Sequence, residues 1–266
     1  VETVRTGLEK KLVGKRLIDA KQLHPRAVKG ELPLESIKGS KVKEVQRRGK
    51  FLWLVLDSTY LLVAHLGMSG QFRVQNPGFS NSNHLRARFK LSDGKELHFV
   101  DQRTFGWLSV DIPEDGLPTL VSHIATDLLD PKFDKKSAIA KAAKRNIEIK
   151  KLLLDQGWVS GIGNIYADEA LWRAKIHPET IAADLDNQSI NRLLIEAKYV
   201  MRKSLKAGGT SFDSLYVNVN GESGYYERSL AVYGREGEPC RRCGHEILRI
   251  AFANRSSRLC PNCQTR

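Results

Sequence analysis

Leu152–Trp172 reads LLLDQGWVSGIGNIYADEALW, and the fold turns on this stretch. Apolar residues at three- and four-residue steps make helices of "IEIKKLLLDQ" (147–156) and "NIYADEALWRA" (164–174), which overlap its two ends. Between them "GWVSGIGN" has glycines that permit positive φ and close backbone approach. Asn164 then opens the second helix, where free amides and the helix dipole suit a phosphate. The spacing fits two readings, an anion-binding helix start or a plain C-cap followed by a turn.

Downstream, "NQSINRLLIEAKYVMRKSLKA" continues the helical pattern, and "GGTSFDSLYVNVNGESGYYERS" (208–229) reads as a long loop. All four Cys lie beyond it: Cys240, Cys243, Cys260 and Cys263 form two CxxC pairs sixteen residues apart. That spacing matches a Cys₄ zinc ribbon, with two disulfides as the alternative. Four thiolates leave no open coordination position, so one Zn²⁺ here is structural and holds together a module too small for its own core. "ANRSSRLC" between the knuckles reads as a hairpin tip with Arg255 and Arg258 exposed. Residues 240–266 carry six Arg against the single acid Glu246, and the chain has net charge +13, which favours a polyanion partner.

Upstream the pattern is strand-like. Val1, Val4, Leu8 and Leu12 mark an opening helix over residues 1–12. "RLIDAKQL", "KVKEVQ", "FLWLVLD", "YLLVAHL", "HLRARFKL" and "ELHFVD" follow as short strands, with "SDGKE" turning between the last two. Several short strands at close spacing predict a β-sandwich or barrel. The longest apolar runs are far too short to span a membrane, and none is expected as a partner. Residues 112–133 carry three of the nine Pro and read as a linker.

With "HLGMSGQ" (65–71), "DQRTFG" (101–106) and the Cys ribbon, this stretch resembles the formamidopyrimidine-DNA glycosylase family, with its helix–two-turn–helix motif. "VSGIGNIYADEALWRAK" is similar to the wording of actinobacterial members, and the resemblance runs from residue 1 to 266. It implies a multidomain α+β fold. A β-sandwich over 1–111 leads through the 112–133 linker to a helical DNA-binding domain over 134–225 and a zinc finger over 226–266. The implied activity is bifunctional: excision of oxidised purines such as 8-oxoguanine and formamidopyrimidines from double-stranded DNA, then strand cleavage by β,δ-elimination.

The resemblance also assigns residues. Lys50 matches the lysine of the β-elimination step, and Arg255 the zinc-finger arginine of phosphate binding and δ-elimination. Met68, Arg103 and Phe105 match the trio that fills the hole left by a flipped nucleotide, although Met68 and Phe105 taken singly would be read as core. His65, His84, Arg145, Lys150, Asn164 and Tyr233 fall on positions that touch or approach DNA. The 208–229 loop matches the segment that closes over the extruded base. Ser69 and Asp213 depart from the Glu and Lys of some relatives, which leaves lesion preference open. The family opens Pro-Glu-Leu-Pro-Glu-Val-Glu, of which Val1–Glu2 matches the last two letters. On that expectation the nucleophilic Pro and its adjacent Glu stand before Val1, and residues 1–266 alone bind abasic DNA without excising 8-oxoguanine. A monomer in a bacterial cytoplasm, at the nucleoid, completes the expectation. The alternatives are a non-catalytic DNA binder of the same fold, an endonuclease VIII-like enzyme for oxidised pyrimidines, and a zinc-ribbon transcription or translation factor.

Overall fold

The computed structural model describes residues 1–78, 83–209 and 226–266. Most of the 208–229 loop, with Asp213, lies outside the described residues. The chain divides into two compact units, the first built on Val1–His123 and the second on Ile124–Ala207 with Tyr226–Arg266.

The first unit opens with helix α1 (Glu2–Leu12), which buries Val4, Leu8 and Leu12 at four-residue steps. Eight strands follow: β1 (Leu17–Gln22), β2 (Val42–Arg48), β3 (Phe51–Leu56), β4 (Leu61–His65), β5 (Gly70–Gln75), β6 (Leu85–Leu91), β7 (Glu96–Asp101) and β8 (Trp107–Asp111). They form two four-stranded antiparallel sheets, ordered β1-β6-β7-β5 and β2-β3-β4-β8. Leu52, Leu54 and Leu56 of one sheet and Phe72, Phe89 and Phe99 of the other join the α1 residues in one core. Six of the strands are those the sequence predicts; β5 and β8 are additional. β5, "GQFRVQ", has few apolar residues, and β8, "WLSVD", is short, so neither gives a long alternating pattern. The stretch read as a linker holds a small hairpin, β9 (Pro113–Glu114) with β10 (Leu117–Pro118).

The second unit has helices α2 (Lys135–Ala142), α3 (Ile149–Leu154), α4 (Asn164–Ala174) and α5 (Asn187–Lys206). Asp134 and Asp186 cap α2 and α5 by accepting from the Ser137 and Ser189 amides. Leu152, Leu153, Val159 and Ile162 pack with Ala167, Ala170 and Leu171 of α4 and Leu193, Leu194 and Ala197 of α5. The turn between α3 and α4 is pinned by Gln156. Its amide donates to the carbonyls of Leu154 (2.9 Å) and Ile162 (3.2 Å), and its Oε1 accepts from the Gly161 amide (3.0 Å). Gly161 has φ +87°, which the glycine-rich spacing anticipates. The chain ends in an antiparallel hairpin, β11 (Leu248–Phe252) and β12 (Arg255–Leu259), turned through Ala253 and Asn254. No helix among the described residues is long and apolar enough to cross a membrane.

Candidate nucleic-acid interface

In the first unit, a buried carboxylate organises the turns that display the candidate void-filling residues. Asp101, fully buried at the end of β7, accepts from the backbone amides of Gly106 (2.6 Å) and Arg103 (3.1 Å) and from the Ser69 hydroxyl. This ties the 66–70 turn to the 102–106 turn at backbone-to-backbone distance. A Cβ on Gly67, whose φ is +59°, would come within 2.6 Å of the Gly106 nitrogen and the Phe105 carbonyl carbon. Thr104, β-branched and at φ +55°, is held in a conformation such residues rarely adopt. The locked turns project Met68 and Phe105 outward, 69% and 59% exposed, so neither is core. The Arg103 guanidinium lies 3.9 Å from the Met68 sulfur. Ser69 points inward to Asp101, so at this position the side chain is committed to the turn.

Lys50 sits half-buried in the two-residue turn joining β2 to β3. The same turn is braced by Arg47, which donates to the Gly49 carbonyl (3.0 Å) and pairs with Glu2 of α1 (2.6 Å). Beside it, Phe51, His65 and Trp107 are cross-strand partners on β3, β4 and β8, and the His65 ring stacks on Trp107 with centroids 5.8 Å apart. Burial, reinforced by the charges of Lys50 and Lys29, lowers the His65 pKa. The ring is therefore neutral at pH 7, which suits Nδ1 accepting from the Gly67 amide (3.2 Å). His84, half-buried, precedes β6 and accepts from the Asp101 amide through its carbonyl (2.9 Å).

In the second unit, Arg255 is exposed at the start of β12, at the hairpin tip, as the sequence predicts. Arg258 is not. Its side chain is 10% exposed, stacked 4.2 Å over the Tyr233 ring and facing Glu236. Stacking on a ring from another segment removes it from the surface, which correct spacing within the ribbon cannot reveal. Lys150 also differs from a surface phosphate contact: its side chain is fully buried, with Nζ 2.6 Å from Asp168, itself 1% exposed. The ammonium further donates to Ser257 Oγ (2.7 Å) and the Ser256 carbonyl (2.9 Å). Burial, opposed by Asp168, lowers the Lys150 pKa; burial, opposed by Lys150, pushes Asp168 up to about 6. Asn164 opens α4 and donates to the Ser256 carbonyl (3.2 Å), with its Oδ1 buried and unpartnered. Arg145 is exposed between α2 and α3.

Asp168 and Glu169 were not singled out by the sequence. The Glu169 carboxylate accepts from three successive amides, Ala231, Val232 and Tyr233, at 2.8–3.0 Å. Two adjacent acids, both buried, in the middle of a helix are the signal that such pairing leaves in a sequence.

The four cysteine Sγ atoms lie within 4.8 Å of one another, two of them buried. Tetrahedral thiolates at about 2.3 Å from zinc stand about 3.8 Å apart, so the cluster fits one ion. The Trp172 indole N–H and the Arg242 amide both point at Cys240 Sγ, each at 3.4 Å, as donors that suit a thiolate. Disulfides are excluded as the arrangement present, since the cysteines are unbridged. Cys240, Cys243, Cys260 and Cys263 hold one structural zinc.

A Cys₄ hairpin that exposes an arginine beside a glycine-turned helix pair, in a chain of strongly positive net charge, points to the class of nucleic-acid-binding proteins. The comparisons make the class specific. Residues 1–108 match the formamidopyrimidine-DNA glycosylase N-terminal domain, 124–215 its H2TH domain, and 237–266 the zinc finger found in FPG and IleRS. The chain belongs to the formamidopyrimidine-DNA glycosylase family. It is 51% identical to the formamidopyrimidine-DNA glycosylase of Acidothermus cellulolyticus, over 99% of this chain and 95% of that one. With that of Salinispora tropica it shares 50% identity, over 100% and 95%. Among solved structures it resembles Lactococcus lactis Fpg in complex with abasic-site DNA, with TM-score 0.90, 35% identity, and coverage of 100% of this chain and 98% of that chain. The complex of the same protein with Fapy-dG DNA gives TM-score 0.88 and 34% identity at the same coverage.

Proposed function

We propose that the chain is a base-excision repair enzyme that removes 8-oxoguanine and formamidopyrimidines from duplex DNA and then cleaves the strand by β,δ-elimination. One observation carries the reading: Met68, Arg103 and Phe105 stand exposed on two turns locked together through Asp101. A thioether and a phenyl replace the stacking lost when a nucleotide leaves the helix, and a guanidinium bonds the base left without its partner. Rigidity matters because a wedge that yields cannot hold the gap open.

The remaining roles are those the family resemblance implies. Lys50, at a hairpin tip beside neutral His65, supplies an amine for the β-elimination step and a phosphate contact. Arg255, exposed on the zinc hairpin, contacts phosphate and assists δ-elimination. His65 and His84 in the first unit, and Arg145, Asn164 and Tyr233 in the second, fall on positions that touch or approach DNA in the family, while the buried Lys150 supports β12. The same reading takes the protein as a monomer working in the cytoplasm at the nucleoid; the net charge of +13 supports only the DNA partner. The test is borohydride trapping of the full-length gene product on an 8-oxoguanine duplex, with excision of thymine glycol measured beside it. A covalent adduct and faster excision of 8-oxoguanine are expected; absence of an adduct overturns the reading.

A further inference from the structure

Asp168 does something that neither the zinc nor the DNA-facing residues account for. It is a carboxylate in the middle of α4, with a side chain 1% exposed, and all of its partners lead to one strand. Oδ2 accepts from the Arg258 amide (3.1 Å), and Oδ1 faces the Lys150 ammonium (2.6 Å). That ammonium, fully buried, passes the connection to Ser257 Oγ and the Ser256 carbonyl. Phe252, which pairs with Arg255 across the hairpin, covers the ammonium with its ring centroid 5.2 Å away. Ser256, Ser257 and Arg258 are the three residues directly after Arg255 on β12. The neighbouring Glu169 fixes the 231–233 backbone, including Tyr233, on which Arg258 stacks.

We infer that Asp168 is a positioning residue for Arg255: through the Arg258 amide and the Lys150 ammonium it fixes the strand that aims the guanidinium at phosphate. The zinc closes the far end of β12 through Cys260, whereas the tip end has no metal ligand, and its two-residue turn leaves it to be held from below. A buried ion pair whose remaining hydrogen bonds all go to one strand fixes orientation, because each bond has a narrow angular range. The inference rests on the reading of Arg255 as a phosphate contact.

The experiment measures the affinity for a duplex with a tetrahydrofuran abasic analogue across a salt series, which needs no bond cleavage. The proteins are the wild type, Arg255→Ala, Asp168→Asn, the double variant of these two, and Asp168→Glu. Arg255→Ala is expected to lower the slope of log K against log salt by about one. Asp168→Asn is expected to lower it similarly, with no further loss in the double variant and one zinc per chain retained throughout. Asp168→Glu, which keeps the charge, is expected to restore part of the slope. Because Asp168→Asn leaves Lys150 buried without its counter-charge, the pair is also replaced as Lys150→Met with Asp168→Leu, which keeps the space filled. The same non-additivity with Arg255→Ala is expected there. A wild-type slope in the Asp168 variants, or losses that add to that of Arg255→Ala, overturns the positioning role while leaving the role of Arg255 standing. An unchanged slope for Arg255→Ala overturns both.

Discussion

Arg255 and His65 carry two different kinds of charge, and their variants separate them. Arg255 is exposed at the hairpin tip, so its truncation leaves the core undisturbed and, on the proposed reading, removes a charge-assisted phosphate contact. We expect Arg255→Ala to weaken binding of damaged duplex by roughly 1–3 kcal/mol, measured by titration at fixed salt. His65 is half-buried between Phe51 and Trp107, and burial, with Lys50 and Lys29, lowers its pKa from 6.5. The folded ring thus holds its proton less tightly than the unfolded one. Below the folded pKa this costs the native state its full stability difference; the loss develops as pH falls from 6.5 through that value and is absent above 6.5. Protonation at Nδ1 also removes the acceptor of the Gly67 amide, next to Met68. Urea unfolding at pH 5 and at pH 7.5 is expected to differ less in His65→Gln than in the wild type. An equal difference in the two proteins would place the ring in a solvated site.

Among the elements, the paired turns of the sandwich depend most on backbone approach. Gly67→Ala sets a Cβ 2.6 Å from the Gly106 nitrogen at φ +59°, so the turns must part. We expect a loss of at least about 1–3 kcal/mol, the usual cost of a backbone state that L side chains avoid. Excision of 8-oxoguanine is expected to fall further than stability alone explains, because Met68 and Phe105 move with the turns. A thermal melt beside single-turnover excision checks both. These turns also show where the sequence stops being informative. Periodicity located α4 to the residue, α5 within a residue, and six of eight sandwich strands, because each is a local pattern on one face. The four cysteines were legible because ligand spacing is local too. Asp101 was not: its amide partners Arg103 and Gly106 are near in sequence but carry no periodic signal, and its third partner, the Ser69 hydroxyl, arrives from a turn distant in sequence. Likewise Lys150, Arg258 and their partners Asp168 and Tyr233 lie on segments distant in sequence, and burial of a charge is decided by what folds over it.

At the scale of the whole chain, stability is distributed unevenly, and metal removal exposes the difference. The sandwich core joins more than twenty buried apolar residues, from Val4 to Val110, with no metal among its supports. The cluster beneath the ribbon is small: Trp172, Ala231, Val232 and Ile247 with Cys240 and Cys260, two of its six members being zinc ligands. Arg242 stacks on Trp172 at 4.2 Å and bonds its carbonyl, and Gln264 bonds the Ile176 carbonyl, so the ribbon docks onto the end of α4 through side chains that the knuckles hold. Without the ion, four thiols at contact distance lose their common partner, and so few apolar residues do not offset the entropy of ordering the segment. We therefore expect chelation to unfold residues 237–266 while the sandwich stays folded. Trypsin is then expected to cut at Arg241, Arg242 and Arg249 in the metal-free protein and to leave the first unit intact. Binding of damaged duplex is expected to fall with zinc content, because the ribbon concentrates six arginines against one acid and carries Arg255. Added zinc is expected to restore both protection and binding. If the metal-free protein bound with unchanged affinity, the hairpin would have no part in holding DNA.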